Sequence, residues 1–394
     1  MALSAARAAT NNLRRAASRL FSEPQGPVYL VSAGGQPNFG DEFITRSWLD
    51  WLAEHQPDRE VWLDTIEPGR AAHLFHDTHP RLRTTNTLWH MAHTGPADPA
   101  SAGERAGTLL RDLGSPRYDL GLRELRRMES VHLLGGGYMN EIWPENFGVI
   151  AAMTTLKADF GIRIYATGQG FMPVSGDLRA RLAEQFAQFD YAEARDAESA
   201  DAVGVRAGVD DAFLAFANGR ELYAAEEDVP DAMVLVQGDM FDDEDDSDLR
   251  DLVEAFRTQH GGSGVGFAEA IPPDDSKYAA EHVDEGAPFF PFVRMWDHGF
   301  PAKAGQDWLT SRFHFHLLAA AAGARGTVVN ARSGYYDVKH GSLIALGTGW
   351  TLRDGVETVR SRATAAPDFP ARARLLGEEK SQLAERLYAS PEKG

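Results

Sequence analysis

Cysteine is absent from the 394 residues. Disulfides, thiolate nucleophiles and sulfur metal ligands are therefore excluded, although the absence says nothing about redox compartment, for which cytoplasm is the default expectation. Long apolar runs are missing too. No stretch reaches 18 residues, so the expectation is a body that neither spans a bilayer nor carries a full signal-peptide core. Positive charge is the third scarcity: 39 Lys and Arg stand against 58 Asp and Glu, a formal charge of −19. Nucleic-acid affinity comes from clustered cations, so a nucleic-acid partner is not expected, and an anionic substrate would need a local basic pocket.

What is present is enough apolar material, 43% of the chain, to fill two domain-sized cores. Residues 1–26 form an arm whose first 22 residues, MALSAARAATNNLRRAASRLFS, carry arginines and no acid. This reads as an amphipathic segment that packs on the body or rests on anionic lipid, a peripheral contact at the inner face of the plasma membrane. A transit peptide has the same composition, but nothing else in the sequence points to an organelle. From Val28 onward, short apolar runs (VYLVS, EVWLDT, SVHLLGGG, GIRIYATGQG) alternate with helical patterns. That rhythm predicts an α/β fold, a parallel sheet with helices on both faces. A second α/β unit begins near MVLVQGD, giving expected domains over 27–228 and 229–350 and a helical tail over 351–394 that crosses back onto the first domain.

Four segments carry candidate chemistry. In GGQPNFGDE a glycine-rich turn follows a strand, but it lacks the GxGxxG pattern. Asp41 and Glu42 at the helix start would repel a pyrophosphate. Asn38, Gly40, Asp41 and Glu42 are read as a hydroxyl-binding or base set, against the plainer alternative of a tight turn with a capping acid. Gly135, Gly136 and Gly137 end a strand together, which is entropically costly unless a ligand or another backbone comes close. Gly168 and Gly170 lie in YATGQGFMP, followed by Arg195 and Asp196 in EARDAES. Alone, Arg195 is more often half of an ion pair than an anion clamp.

The fourth segment is TSRFHFH. If Thr310 or Ser311 caps a helix, Arg312 and His314 lie in its first turn, where free N–H groups favour an anion. If the segment is extended, Arg312, His314 and His316 share a face. The alternative for each histidine is a packed core residue. His73, His76, His79, His90 and His93 match no complete metal-ligand pattern, and the acidic run Asp239 to Asp248 lacks the glycine and closing glutamate of a calcium loop. Solvated polar loops are expected for both, and no metal site.

Taken in order, GGQPNFGDE, the GGG loop, YATGQGFMP with ARDAES, and TSRFHFHLLAAAAGARGTVVN with YYDVK resemble the polysaccharide pyruvyl transferase family over about residues 28–350. The resemblance implies two Rossmann-like domains facing a cleft, in a GT-B-like arrangement. It also implies phosphoenolpyruvate as donor substrate, with no separate cofactor. Arg312 and His314 match the family's Arg-x-His positions, Arg195 its first-domain arginine, and Lys339 its downstream lysine. Under it the catalytic set is His314, Arg312 and Asp41. Arg195, Lys339, Ser311, His316, Asn38, Gly40, Glu42 and the glycines 135–137, 168 and 170 bind substrate.

The implied reaction forms a pyruvate ketal on a saccharide of a cell-surface glycan or glycolipid, with a lipid- or nucleotide-linked acceptor. Histidine suits the acid role because its pKa lies near working pH, and arginine's planar fork suits carboxylate and phosphate. Two other classes remain open on the sequence: a GT-B-type nucleotide-sugar glycosyltransferase and a non-catalytic glycan-binding relative. A Rossmann dehydrogenase is disfavoured, since Asp64 stands too far from the first glycine loop.

Overall fold

The computed structural model describes residues 25–96, 98–113, 117–237, 243–276, 279–280, 286–330, 336–354, 358–361 and 368–389. Nearly all of the N-terminal arm and the start of the acidic run, up to residue 242, lie outside these.

The first sheet is built from β1 (Val28–Val31), β2 (Val61–Asp64), β3 (Leu82–Thr85), β4 (Ser130–Leu133), β5 (Arg163–Gln169), β6 (Tyr191–Ala194) and β7 (Arg206–Ala207), in the spatial order β3-β2-β1-β4-β5-β6-β7. All its pairings are parallel. The second contains β8 (Ala232–Leu235), β9 (Val265–Ala268), β10 (Phe289–Phe290), β11 (Asp307–Thr310), β12 (Arg325–Asn330), β13 (Thr351–Asp354) and β14 (Thr358–Ser361). Its order, β10-β9-β8-β11-β12-β13-β14, repeats the first rank for rank. Only the last pair, β13 with β14, is antiparallel. Strands β1, β4 and β8 are buried at every position, as central parallel strands covered on both faces must be.

Helices connect the strands of the first sheet: α1 (Phe39–His55), α2 (Pro68–Leu74), α3 (Thr87–His93), α4 (Pro99–Arg111), α5 (Asp119–Leu125), α6 (Phe147–Phe160), α7 (Gly176–Phe186) and α8 (Ala197–Val203). Around the second lie α9 (Asp243–Gln259), α10 (Phe292–His298), α11 (Phe313–Ala321) and α12 (Tyr336–Ala345), and α13 (Phe369–Tyr388) ends the fold. The expected parallel α/β architecture is therefore present twice.

One apolar cluster runs through the junction of the two halves. Phe39, the first residue of α1, sits among second-half rings, 6.0 Å from Phe292, 5.9 Å from Phe300 and 5.6 Å from Phe315 between centroids. Its N–H donates to the Ala270 carbonyl at 3.0 Å. The start of α1 is thereby fixed against the second sheet, which forms one wall of a cleft.

The stretch after Trp350, expected to be helical, begins with the β13–β14 hairpin. The sequence signal is the Asp-Gly pair inside TLRDGVETVRS, a hairpin turn motif between β-prone runs. Among the described residues of this stretch only α13 is helical, and it packs on the first half. Trp51 Nε1 donates to Ser381 Oγ at 2.9 Å, and Tyr388 Oη meets His132 Nδ1 at 2.6 Å.

The anchor of α13 is ionic. Lys380 is buried and pairs with Glu193 and with Asp211, 2.7 Å to the latter. The other Asp211 oxygen accepts from Trp48 Nε1 (2.9 Å), Thr167 Oγ1 (2.6 Å) and the Gly135 N–H (2.8 Å). Burial alone would lower the Lys380 pKa, but the two carboxylates more than offset it and hold the ammonium charged. Lys380→Met, similar in length and apolar, strands both acids without a counter-charge. It is expected to cost about 3–5 kcal/mol, read as a lower urea midpoint; an unchanged midpoint would show that the ion cluster does not hold α13.

Candidate active site

The loops that follow β1, β4, β9 and β11 converge on a cleft of about 660 Å³ between the two sheets. Strand C-termini are where open α/β sheets place ligands. From the first half come Asn38, Gly40, Asp41, Gly137 and Arg195; from the second come Arg312, His314 and Lys339.

Helix α11 begins at this wall. Its N-cap is Arg312, in an extended conformation, and neither Thr310 nor Ser311 caps it. The Thr310 hydroxyl accepts the Arg312 N–H at 3.1 Å, and the Ser311 hydroxyl accepts the Gln237 N–H at 3.0 Å. The first N–H groups of the helix have no intrahelical partner and carry its positive dipole end. Phe313, His314 and Phe315, which bear them, all line the cleft. Arg312 is held by Asp275, with Nε 3.1 and 3.2 Å from its two oxygens. Asp275 also accepts the N–H groups of Ala270 and Ile271. This carboxylate ties the loop after β9 to the arginine.

His314 Nε2 stands 3.2 Å from Asp210 Oδ1, and Arg195 Nη1 is 3.0 Å from Asp210 Oδ2. One carboxylate thus fixes an imidazole from the second half and a guanidinium from the first. Burial would raise the Asp210 pKa, but the His314 and Arg195 charges overcome it and hold the acid well below the usual carboxylate range. Arg195 also lies over the Phe313 ring at 4.4 Å. Its Nε is buried with no hydrogen-bond acceptor in the protein.

Lys339 completes the cationic wall. Burial and the neighbouring Arg195 push its pKa well below the usual ammonium value, against the pull of Asp41. Asp41 is raised by burial, opposed by His314 and Arg195, and receives the Asn38 Nδ2 amide at 2.7 Å. Two glycines allow this crowding. A Cβ on Gly137 would lie 3.0 Å from both Arg195 Nη2 and Lys339 Nζ, and one on Gly40 would overlap His314 Nδ1 at 1.9 Å.

Other candidates are placed elsewhere. His316 is buried between His340 and Thr348 (3.2 and 2.9 Å) and stacks on Trp350 at 4.5 Å, because residues two apart on a helix diverge. Burial lowers its pKa well below the usual value. Ser311 is buried and serves the β8–β11 junction. Glu42 is buried, and its Oε2 accepts the Gly35 N–H at 2.8 Å. Gly135, Gly136, Gly168 and Gly170 serve backbone packing rather than the cleft lining. Gly168 has a φ of +57° and lies against Asp211, and a Cβ on Gly170 would meet Arg195 Nε at 2.9 Å.

Of the histidine cluster, His93 lines the cleft and His73 and His76 line a separate groove. Buried His79 bonds backbone groups of Gln56 and Arg81. No group of three potential ligand side chains is arranged for a metal among the described residues. The residues missed in the sequence are Asp210 and Asp275. Both sit in acid pairs with no motif around them, and their role depends on which cation the fold delivers.

Two facing α/β units of identical strand order, with cationic side chains gathered at their junction, define a GT-B-type fold. The model of the polysaccharide pyruvyl transferase family matches residues 38–256, more than half of the chain, and the chain belongs to that family. Arg312, His314 and Lys339 lie beyond the matched segment. No curated protein matches the sequence. Among solved structures, the chain is similar to one described as a UDP-N-acetylglucosamine 2-epimerase from Listeria monocytogenes (10% identity, 92% of this chain and 97% of that chain, TM-score 0.54). It is also similar to a UDP-GlcNAc 2-epimerase from Methanocaldococcus jannaschii (10%, 89% and 98%, 0.49) and an Anabaena protein in complex with UDP and glucose (8%, 92% and 95%, 0.46). At such identities the likeness is one of fold. No helix among the described residues is long and apolar enough to cross a membrane.

Glu42 generates a pH test. Burial pushes its carboxyl to about 8, while the same group in the unfolded chain titrates near ~4.3. Between these values the unfolded state releases its proton first, so this group's contribution to stability falls as pH rises and levels off above about 8. Glu42→Gln removes that slope. Its melting temperature relative to the native chain should climb from pH 5 to pH 8, as read by differential scanning fluorimetry; a relative fall over that range would refute the assignment.

Proposed function

We propose that the cleft transfers the enolpyruvyl group of phosphoenolpyruvate to a saccharide as a pyruvate ketal. The observation that carries this reading is the convergence of Arg195, Arg312, Lys339, His314 and the start of α11 on one wall. That wall has more positive groups than one carboxylate ligand needs, and it matches a small trianion with a carboxylate and a phosphate. Arginine forks clamp such groups bidentately.

In the proposed sequence His314, held by Asp210, donates a proton to C3 of the enol, and oxocarbenium character develops at C2. A saccharide hydroxyl forms the first O–C2 bond and gives up its proton to Asp41, which burial makes a stronger base than an exposed carboxylate. The C2–O bond to phosphate then breaks, inorganic phosphate leaves along the arginines and Lys339, and a second hydroxyl closes the ketal with loss of its proton. Asn38 holds Asp41 in place for this exchange. A nucleotide-sugar glycosyltransferase shares the fold and makes a different demand on the donor.

Phosphoenolpyruvate should raise the melting temperature, by the equivalent of ~2.7 kcal/mol at a hundredfold excess over Kd. Arg312→Ala should abolish most of the shift and Arg312→Lys restore part of it. A shift from UDP-sugars with none from phosphoenolpyruvate would transfer the protein to the glycosyltransferase reading. Turnover separates the histidines. His314→Ala should lower phosphate release by roughly 10²- to 10⁴-fold with little loss of stability, whereas His316→Ala should act mainly on the melt. The reverse pattern would hand the acid role to His316.

A further inference from the structure

Behind the cationic wall lie two buried titratable side chains that the proposed reaction does not use, His316 on α11 and His340 on α12. Their Nδ1 atoms face each other at 3.2 Å, His316 Nε2 stands 2.9 Å from Thr348 Oγ1, and His340 Nε2 stands 3.1 Å from the Ser311 carbonyl. A carbonyl only accepts, so His340 carries its proton on Nε2 and presents a lone pair at Nδ1. His316 must then donate through Nδ1, because two facing lone pairs would repel, and its Nε2 accepts from the Thr348 hydroxyl. Burial keeps both rings uncharged, lowering the pKa of each, that of His340 to about 4.

The last link of this chain sets the geometry of the wall. The peptide unit from the Ser311 carbonyl to the Arg312 N–H is planar. It is gripped at both ends, by His340 Nε2 on the carbonyl and by the Thr310 hydroxyl at 3.1 Å on the N–H. Ser311 is also pinned to the end of β8, its N–H donating to the Leu235 carbonyl at 3.1 Å and its hydroxyl accepting the Gln237 N–H. With that plane fixed, the extended Arg312 enters α11 in one direction, along the cleft that it lines. His340 directly follows Lys339, and neighbours on a helix point about 100° apart. One therefore lines the cleft while the other is buried behind it. Imidazole suits the place because it donates a hydrogen bond without adding a charge, and the charges of Lys339 and Arg195 would both repel a cation there.

We propose that His340 is a positioning residue: its neutral imidazole, held in one tautomer by His316, fixes the Ser311–Arg312 peptide and keeps Arg312 and Lys339 in register as an anion clamp. The proposal rests on the pyruvyl transfer reading only for the identity of the anion.

Two substitutions separate reach from bulk. Glutamine places its amide nitrogen near the Nε2 position of histidine and can still donate to Ser311, whereas asparagine ends near the Nδ1 position and cannot. Phosphoenolpyruvate and, separately, inorganic phosphate are titrated calorimetrically into the full chain. The Kd of His340→Gln should stay within about threefold of the native value and that of His340→Asn should rise about tenfold, the order of one lost hydrogen bond. Nitrogen-15 NMR of histidine-labelled native protein near neutral pH should show His316 protonated on Nδ1 and His340 on Nε2. Equal affinities in the two variants, or His316 protonated on Nε2, would overturn the proposal and leave the donor reading intact. Inorganic phosphate binding with this difference between the variants, but no phosphoenolpyruvate binding, would uphold the proposal and sink the donor reading. A native chain that binds neither anion would sink both. Should His340→Asn lack a cooperative melt, the native tautomers and the His340→Gln affinity decide the matter.

Discussion

Two consecutive carboxylates, Asp210 and Asp211, hold the molecule's chemistry and its architecture at adjacent residues. Asp210 takes Arg195 from the first half and His314 from the second, both of which line the cleft. Asp211 faces the core and takes Lys380 from the last helix, Trp48 from the first and the N–H of Gly135 from the glycine loop. Asp210 caps the short 3-10 turn, Asp211–Phe216, that Asp211 begins. Both acids are buried and tolerate burial only because cations reach them. The contact of His314 with the first half and the seating of α13, which begins 56 residues after the α11 start, thus rest on two adjacent residues.

Charge distribution follows from the same economy of cations. A chain with a formal charge of −19 concentrates Arg195, Arg312, Lys339 and the dipole of α11 at one place, and most of its remaining arginines that ion-pair do so on the surface. Under the proposed reading an anionic donor would meet a repulsive exterior and an attractive wall inside the cleft.

Much of this was legible in the sequence. The buried runs of β1, β4 and β8 and the glycines at strand ends carry the α/β fold, and the resemblance of the spaced segments names the family. Arg312-x-His314 stood out because both residue types suit anions and their spacing suits a helix start. What stayed hidden was three-dimensional. Ser311 and Glu42 neighbour the true lining residues in sequence, yet they turn toward the β8 junction and the Gly35 loop. Asp210 and Asp275 became visible only when the fold brought them opposite cations far away in sequence. The β13–β14 pair after Trp350 stayed hidden because Arg353, Asp354 and Arg360 interrupt its apolar pattern.

The return of α13 to the first half has a mechanical side. Because the chain leaves the first half before β8 and re-enters it between Ser361 and Phe369, the second half is tethered at two points instead of one. A body suspended on one thread can swivel freely, whereas a body suspended on two is confined to rocking about the line that joins them. Two crossings, together with the apolar cluster between the halves, restrict rotation of one half against the other more than a single linker would.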